Sequence, residues 1–252
     1  MDSDSDYGVP IPGQVLPPEQ WARTALKRLP PPGPIDWAEL FGRVAPVVLD
    51  LGCGNGRFLL SSALRRPELN HLGLDILPLV IRYATKRANQ RGLQHARLAV
   101  CGAHEFLEQY VAPHSIAEIH LYHPQPYRDD ALAFKRLITP EFLTLVHRAL
   151  APDGMWIVQT DNAGYWDYLS QVAPALFAFE ELSGPWSDAP RGRTRREIYA
   201  RQHRMTVHKA ACHPRPLSEA EVQTLVASLP QPHFTAQPTA KRSRGRRPRR
   251  RG

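Results

Sequence analysis

The run Val47-Val48-Leu49-Asp50-Leu51-Gly52-Cys53-Gly54-Asn55-Gly56 limits the fold of this 252-residue chain more than any other stretch. An apolar strand ends in a carboxylate, three alternating glycines follow, and a helical pattern begins at Arg57. Glycines at such a strand-to-helix turn let the backbone bend tightly and approach a ligand with no Cβ in the way. The spacing Gly52-x-Gly54-x-Gly56 departs from the dinucleotide fingerprint in its last interval. Taken alone, the glycines also fit a tight turn that binds nothing. The next strand, His71-Leu72-Gly73-Leu74-Asp75-Ile76, narrows the choice because it too ends in an acid, placed where a carboxylate can accept from both ribose hydroxyls. Two acid-terminated strands flanking one helix point to a nucleoside site.

Beyond that turn the chain keeps alternating. Periodicity and stop signals predict helices over 80–91, 104–110, 139–150, 165–172 and 195–202. Strands are predicted over 96–101, 116–122, 155–160, 177–180 and 205–212. Strands separated by helices imply right-handed crossovers and a mostly parallel sheet. Ligands of such sheets lie beyond the carboxyl ends of the strands, where Asp50, Asp75, the 123–130 loop and Asp161 all fall. Residues 1–46 hold nine of the 25 prolines and read as an extension over or beside a core domain of 47–212. A helical extension over 213–240 carries a capping box at Ser218 and Glu221.

Charge is informative once it is located. Residues 241–252 contain eight of the 32 Lys and Arg and no acid, leaving 24 basic residues against 24 acidic ones in the rest of the chain. That segment is expected to be disordered when free and suited to grasping phosphates. No stretch has the apolar length of a membrane span, and the acidic start lacks the features of a secretory signal. Three scattered cysteines, Cys53, Cys101 and Cys212, argue against a disulfide framework or a metal site and for a cytoplasmic setting.

With Asp50 two residues ahead of it, the glycine turn resembles the first motif of class I S-adenosylmethionine-dependent methyltransferases. That resemblance implies a Rossmann-like, mostly parallel sheet flanked by helices, with an antiparallel edge strand. The region 47–212 further resembles the bacterial tRNA (guanine-N7)-methyltransferases through several blocks in order. Lys135-Arg136 precedes the helix-forming stretch from Thr139, Thr160-Asp161 is followed by Tyr165 and Trp166, and Thr194-Arg195-Arg196-Glu197 matches a Thr-x-x-Glu motif. The resemblance implies S-adenosylmethionine as cofactor and tRNA as partner, in a monomer. Asp50, Gly52, Gly54, Asp75, Gly102, Ala103 and Gln125 would bind the cofactor. Asp161, Thr194, Glu197 and Asp129 would contact the substrate, with Lys135 and Arg136 near its phosphates.

Two departures from the family pattern stand out. Where the family has Pro-Asp-Pro-Trp, this chain has Pro124-Gln125-Pro126-Tyr127, so Gln125 occupies the place of the catalytic acid. Gly102 stands where the family carries an acid near the cofactor's base. Three functions remain open on this basis: tRNA (guanine-N7) methylation, a non-catalytic RNA-binding relative, and methylation of another RNA base or a small molecule.

Overall fold

The computed structural model describes residues 4–24, 26 and 29–236; the basic segment 241–252 lies outside the described residues. The chain begins with a hairpin, β1 (Ser5–Asp6) and β2 (Val9–Pro10), and a short helix, α1 (Trp37–Phe41). Alternation then sets in: β3 (Val47–Leu51), α2 (Arg57–Arg65), β4 (Asn70–Asp75), α3 (Pro78–Gln90), β5 (Ala96–Val100), α4 (Ala103–Gln109) and β6 (Ile116–Tyr122). The second half adds α5 (Pro140–Ala149), β7 (Leu150–Thr160), α6 (Ala163–Val172), β8 (Phe177–Glu181), α7 (Arg195–Gln202), β9 (His208–Pro214) and α8 (Glu219–Ala227).

Seven strands form one sheet in the order β5-β4-β3-β6-β7-β9-β8. The pairs from β5 across to β7 are parallel, and β9 runs antiparallel to both β7 and β8. The sheet is mostly parallel, as expected. Its reversed strand lies one place in from the edge, because β8 pairs along the outer side of β9 and becomes the edge itself. Strand β3 is buried at every position, as a central strand covered on both faces must be. Leu49 and Leu51 pack with α4, α5 and α6 on one face, while α2 and α3 enclose Leu59, Ile81 and Ala84 on the other.

Strand β7 is longer than its sequence suggests. Pro152, Asp153 and Gly154 read as a turn between helix and strand, yet Leu150 already pairs with Ile116. A register irregularity between Ile116 and Glu118 absorbs the extra residues as a bulge, which accommodates proline and glycine inside a strand. Thr139, Asn162 and Thr194 cap α5, α6 and α7 by accepting from backbone N–H groups, and Ser218 with Glu221 forms the expected capping box on α8.

The N-terminal hairpin is fastened to the sheet domain by charge. Arg57, on the first turn of α2, forms an ion pair with Asp6 at 3.3 Å and donates to the carbonyls of Val9 and Pro10. Arg57 and Asp6 are 6% and 5% exposed, so each would be costly to leave alone. Asp4 pairs with Arg87 of α3 alongside. Replacing Arg57 with Met should therefore cost about 2–4 kcal/mol locally. The expected result is faster amide exchange at Val9 and Ile11 while the amides of β3 and β4 keep their protection.

Candidate active site

The carboxyl ends of β3, β6 and β7 open into one cavity of about 1330 Å³. Asp50, near the end of β3, is 2% exposed, and its Oδ2 has no hydrogen-bond partner among the described residues. Burial pushes its carboxyl up to about 8, with the charge of Asp75 adding to the shift. Beside it, Gly52 (φ +73°) and Gly54 (φ +53°) adopt left-handed backbone, and a Cβ at either would project into open space. A side chain there would strain the turn and occupy the very space a ligand backbone or sugar would use. An orphaned buried carboxyl under an open glycine turn suits a ligand that brings its own donors or positive charge.

Asp75, at the end of the neighbouring strand, does not itself line that cavity but braces the glycine turn from the side. Its Oδ2 accepts from Gly54 N–H at 3.0 Å and its Oδ1 from Leu77 N–H at 2.9 Å. Each oxygen retains a second lone pair, so two hydroxyls can still be accepted. Gly102 and Ala103 do not line the cavity; they start α4 one strand further out, next to Ile76, which is 66% exposed. An uncovered isoleucine directly after Asp75 offers an apolar platform for a planar group. Cys53 lines the cavity as well, but burial, with the nearby acids Asp50 and Asp75 adding, pushes its thiol up and disfavours the thiolate.

Across the cavity stands a second acid. Asp161, just after β7, accepts from His123 Nδ1 at 2.8 Å and from the Arg196 guanidinium. Burial alone would raise its carboxyl, but these two partners outweigh it and hold the group down at about 2. Thr194 and Asp129 also line the cavity, each accepting from a backbone N–H at the start of its own helical segment. Gln125 is exposed on the cavity wall between them.

Two residues are placed differently from what the family pattern implies. Glu197 is fully buried behind the wall, where its carboxylate accepts from Arg201 and from the backbone N–H of Arg193. Arg136 is 2% exposed and faces inward: it donates to the carbonyls of Pro126, Tyr127 and Pro232 and stacks over Phe234. Those bonds hold the His123–Tyr127 loop, whose two end residues take positive φ at roughly 1 kcal/mol of strain each. Lys135, by contrast, is exposed outside the cavity.

Sequence reasoning missed several wall residues. Tyr7 reaches the cavity from the N-terminal hairpin and packs against Tyr199 and under Arg195. Nothing local in the sequence marks Tyr7, since its place depends on the Asp6–Arg57 pair. Arg195 and Arg196 carried a signal that was read only as part of a motif: residues 191–196 contain four arginines. Groups of His, Cys, Asp and Glu able to hold a metal are absent among the described residues. No helix among them is long and apolar enough to cross a membrane.

The strand order and the glycine cradle are those of class I methyltransferases. Solved structures agree on the fold: the 16S rRNA methyltransferase KamB matches with a TM-score of 0.55 at 18% identity, covering 75% of this chain and 97% of that one. An antibiotic-related methyltransferase matches with a TM-score of 0.53 at 15% identity over 72% and 95%. The family described as "Putative methyltransferase" matches residues 44–213. The tRNA (guanine-N(7)-)-methyltransferase of Alkalilimnicola ehrlichii is 30% identical over 172 residues, covering 68% of this chain and 73% of that protein. Its counterpart in Leifsonia xyli is 33% identical over 163 residues, or 65% and 72%. The chain belongs to the tRNA (guanine-N(7)-)-methyltransferase family.

The Asp161 cluster has a pH signature. A carboxylate held below its ordinary value stabilises the fold above about pH 4, and that contribution disappears as pH falls toward about 2. Asp161→Asn should therefore be less stable than wild type at pH 7, and the gap should narrow as pH is lowered from 5 to 3. Urea midpoints of both proteins across that range check it.

Proposed function

We infer that this protein transfers the methyl group of S-adenosylmethionine to N7 of a guanine in tRNA. The observation that carries this reading is a single cavity with an open glycine cradle at one wall and a clamped acid at the other, in a chain of this family. The cofactor, once bound, supplies an electrophilic methyl group on a sulfonium. Asp75 would accept from the ribose hydroxyls, and Asp50 would face a cationic group. Asp161, with Thr194 beside it, would accept from the N1–H and N2–H donors of guanine, whose Watson–Crick edge they suit. The three free cysteines are all buried, in keeping with a reducing cytoplasm. The basic segment 241–252 would supply the phosphate-neutralising charge that the rest of the chain lacks.

Little proton chemistry is asked of the protein. Guanine N7 is a lone-pair nucleophile without a proton, so no general base is needed, and holding the two reactants in line is the main task. Positive charge does develop on the purine as the bond forms. A carboxylate about 4 Å away would stabilise a full charge by about 4 kcal/mol at an effective dielectric of 20, an upper bound for the partial charge involved. Gln125 offers an amide oxygen in that place, which accepts a hydrogen bond but carries no charge. Slower transfer follows, not its loss.

The reading is tested by incubating the protein with labelled cofactor and tRNA lacking the modification, then resolving the nucleosides by mass. Label in 7-methylguanosine is expected; label in another nucleoside would contradict it. Asp75→Ala should weaken cofactor binding ten- to a hundredfold, about 1.5–3 kcal/mol, through lost charge-assisted hydrogen bonds. Calorimetry on the folded variant measures this. Gln125→Asp should raise the methyl-transfer rate and leave cofactor affinity nearly unchanged. Single-turnover kinetics with saturating cofactor will show the sign.

A further inference from the structure

The side chain of Asp161 is held from behind by a hydrogen-bond chain that can run in only one direction. Trp186, in the loop between β8 and α7, donates from its indole Nε1 to Gln159 Oε1 at 2.8 Å. The Nε2 amide of Gln159 lies 2.9 Å from His123 Nε2, and His123 Nδ1 lies 2.8 Å from Asp161 Oδ1. An indole nitrogen can only donate, so the Gln159 oxygen must face it and the amide N–H must face His123. His123 Nε2 is then an acceptor, which leaves the imidazole proton on Nδ1, donated to Asp161.

The rear of the chain is shielded from water, while His123 and Asp161 face the cavity. Gln159 is 0% exposed, and Trp186 is buried with Arg193 and Lys209 stacked on its ring. Breaking one link therefore leaves a buried polar group without a partner. The backbone N–H of His123 also donates to the Gln159 carbonyl, which ties the end of β6 to β7 at this point. His123 sits at a positive φ of 53°, unusual for a residue with a side chain, so its ring is held in place at a conformational cost. The Arg196 guanidinium, 39% exposed, holds the second carboxylate oxygen from the cavity side. Every oxygen of Asp161 keeps one further lone pair for a ligand.

We propose that Trp186, Gln159 and His123 form a positioning chain that fixes the Asp161 carboxylate for the donor edge of the target guanine and so sets base specificity. This rests on Asp161 being the guanine-reading acid. His123 does the direct holding; Gln159 and Trp186 act through it by donating to Nε2, which keeps that nitrogen unprotonated and holds the ring in place. The loop bearing Trp186 leads directly into Thr194 and Arg196, so one segment both orients Asp161 and supplies its neighbours on the wall.

The test compares tRNA carrying guanine or inosine at the target position. Inosine keeps N7 but lacks the 2-amino group, so the ratio of kcat/KM values reports how well the carboxylate is presented. Wild type, Asp161→Asn, Gln159→Leu and Trp186→Phe are measured with cofactor affinity alongside, and the His123 tautomer is read from imidazole nitrogen shifts in ¹⁵N-labelled protein. The signal is assigned by its absence in His123→Asn. The proposal expects wild type to carry its proton on Nδ1 with Nε2 unprotonated, and Trp186→Phe, in which the Gln159 amide is free to turn its oxygen toward the ring, no longer to keep Nε2 unprotonated. Trp186→Phe and Gln159→Leu should also lose about three- to tenfold of guanine discrimination, each at unchanged cofactor affinity. If Asp161→Asn loses discrimination while both other variants keep it, the chain does not position the acid and the proposal falls. If Asp161→Asn itself keeps full discrimination, the reading of Asp161 is wrong and the proposal falls with it. An Nε2-protonated His123 in wild type would overturn the proposed direction of the chain independently of any activity.

Discussion

A carboxyl group buried without a partner is the constraint around which this protein is built. Asp50 lies near the end of strand β3, between β4 and β6, and no donor among the described residues reaches its Oδ2. Such a group is expensive to bury, and its upward shift to about 8 reflects that cost. The surrounding structure keeps the expense in place. Covered strands fix the backbone, α2 and α3 close one face, and the glycine turn leaves the space above the carboxyl empty. A ligand that brings a cation or donors to Asp50 recovers what folding spent there.

The opposite wall follows another logic. Asp161 has every partner that Asp50 lacks, and its carboxylate stays ionised over nearly the whole pH range. Two acids at either side of one cavity are thus pushed apart in character by their surroundings, one toward the neutral form and one toward the anion. The loop between them owes its shape to Arg136, whose guanidinium satisfies three carbonyls from two distant segments. The N-terminal hairpin contributes Tyr7 from a position held by the Arg57–Asp6 and Arg87–Asp4 pairs and by Gln202, which donates to the Tyr7 carbonyl.

Much of this was readable before any coordinates. The parallel sheet follows from the alternation of strands and helices, and the cradle follows from three glycines flanked by Asp50 and Asp75, because those features are local in sequence. What escaped were relations between distant segments. Arg136 reads as a phosphate ligand, since a basic pair in a loop gives no sign that one member turns inward onto Pro232 and Phe234. Glu197 reads as a contact residue, and only the fold reveals Arg201 and the Arg193 amide around it. The bulge in β7 escaped because proline and glycine stop a helix and interrupt a strand with the same residues.

The most direct measurement is of protons. Asp50, neutral near pH 6.5 in the free protein, should ionise when a positively charged cofactor group is placed against it, releasing about one proton per cofactor bound. Calorimetry of S-adenosylmethionine binding at that pH, repeated in buffers of different ionisation enthalpy, counts the protons. Release of about one, abolished in Asp50→Asn, is the expected result. No proton release in wild type, with binding intact, would show that Asp50 is not the seat of the cofactor's charge.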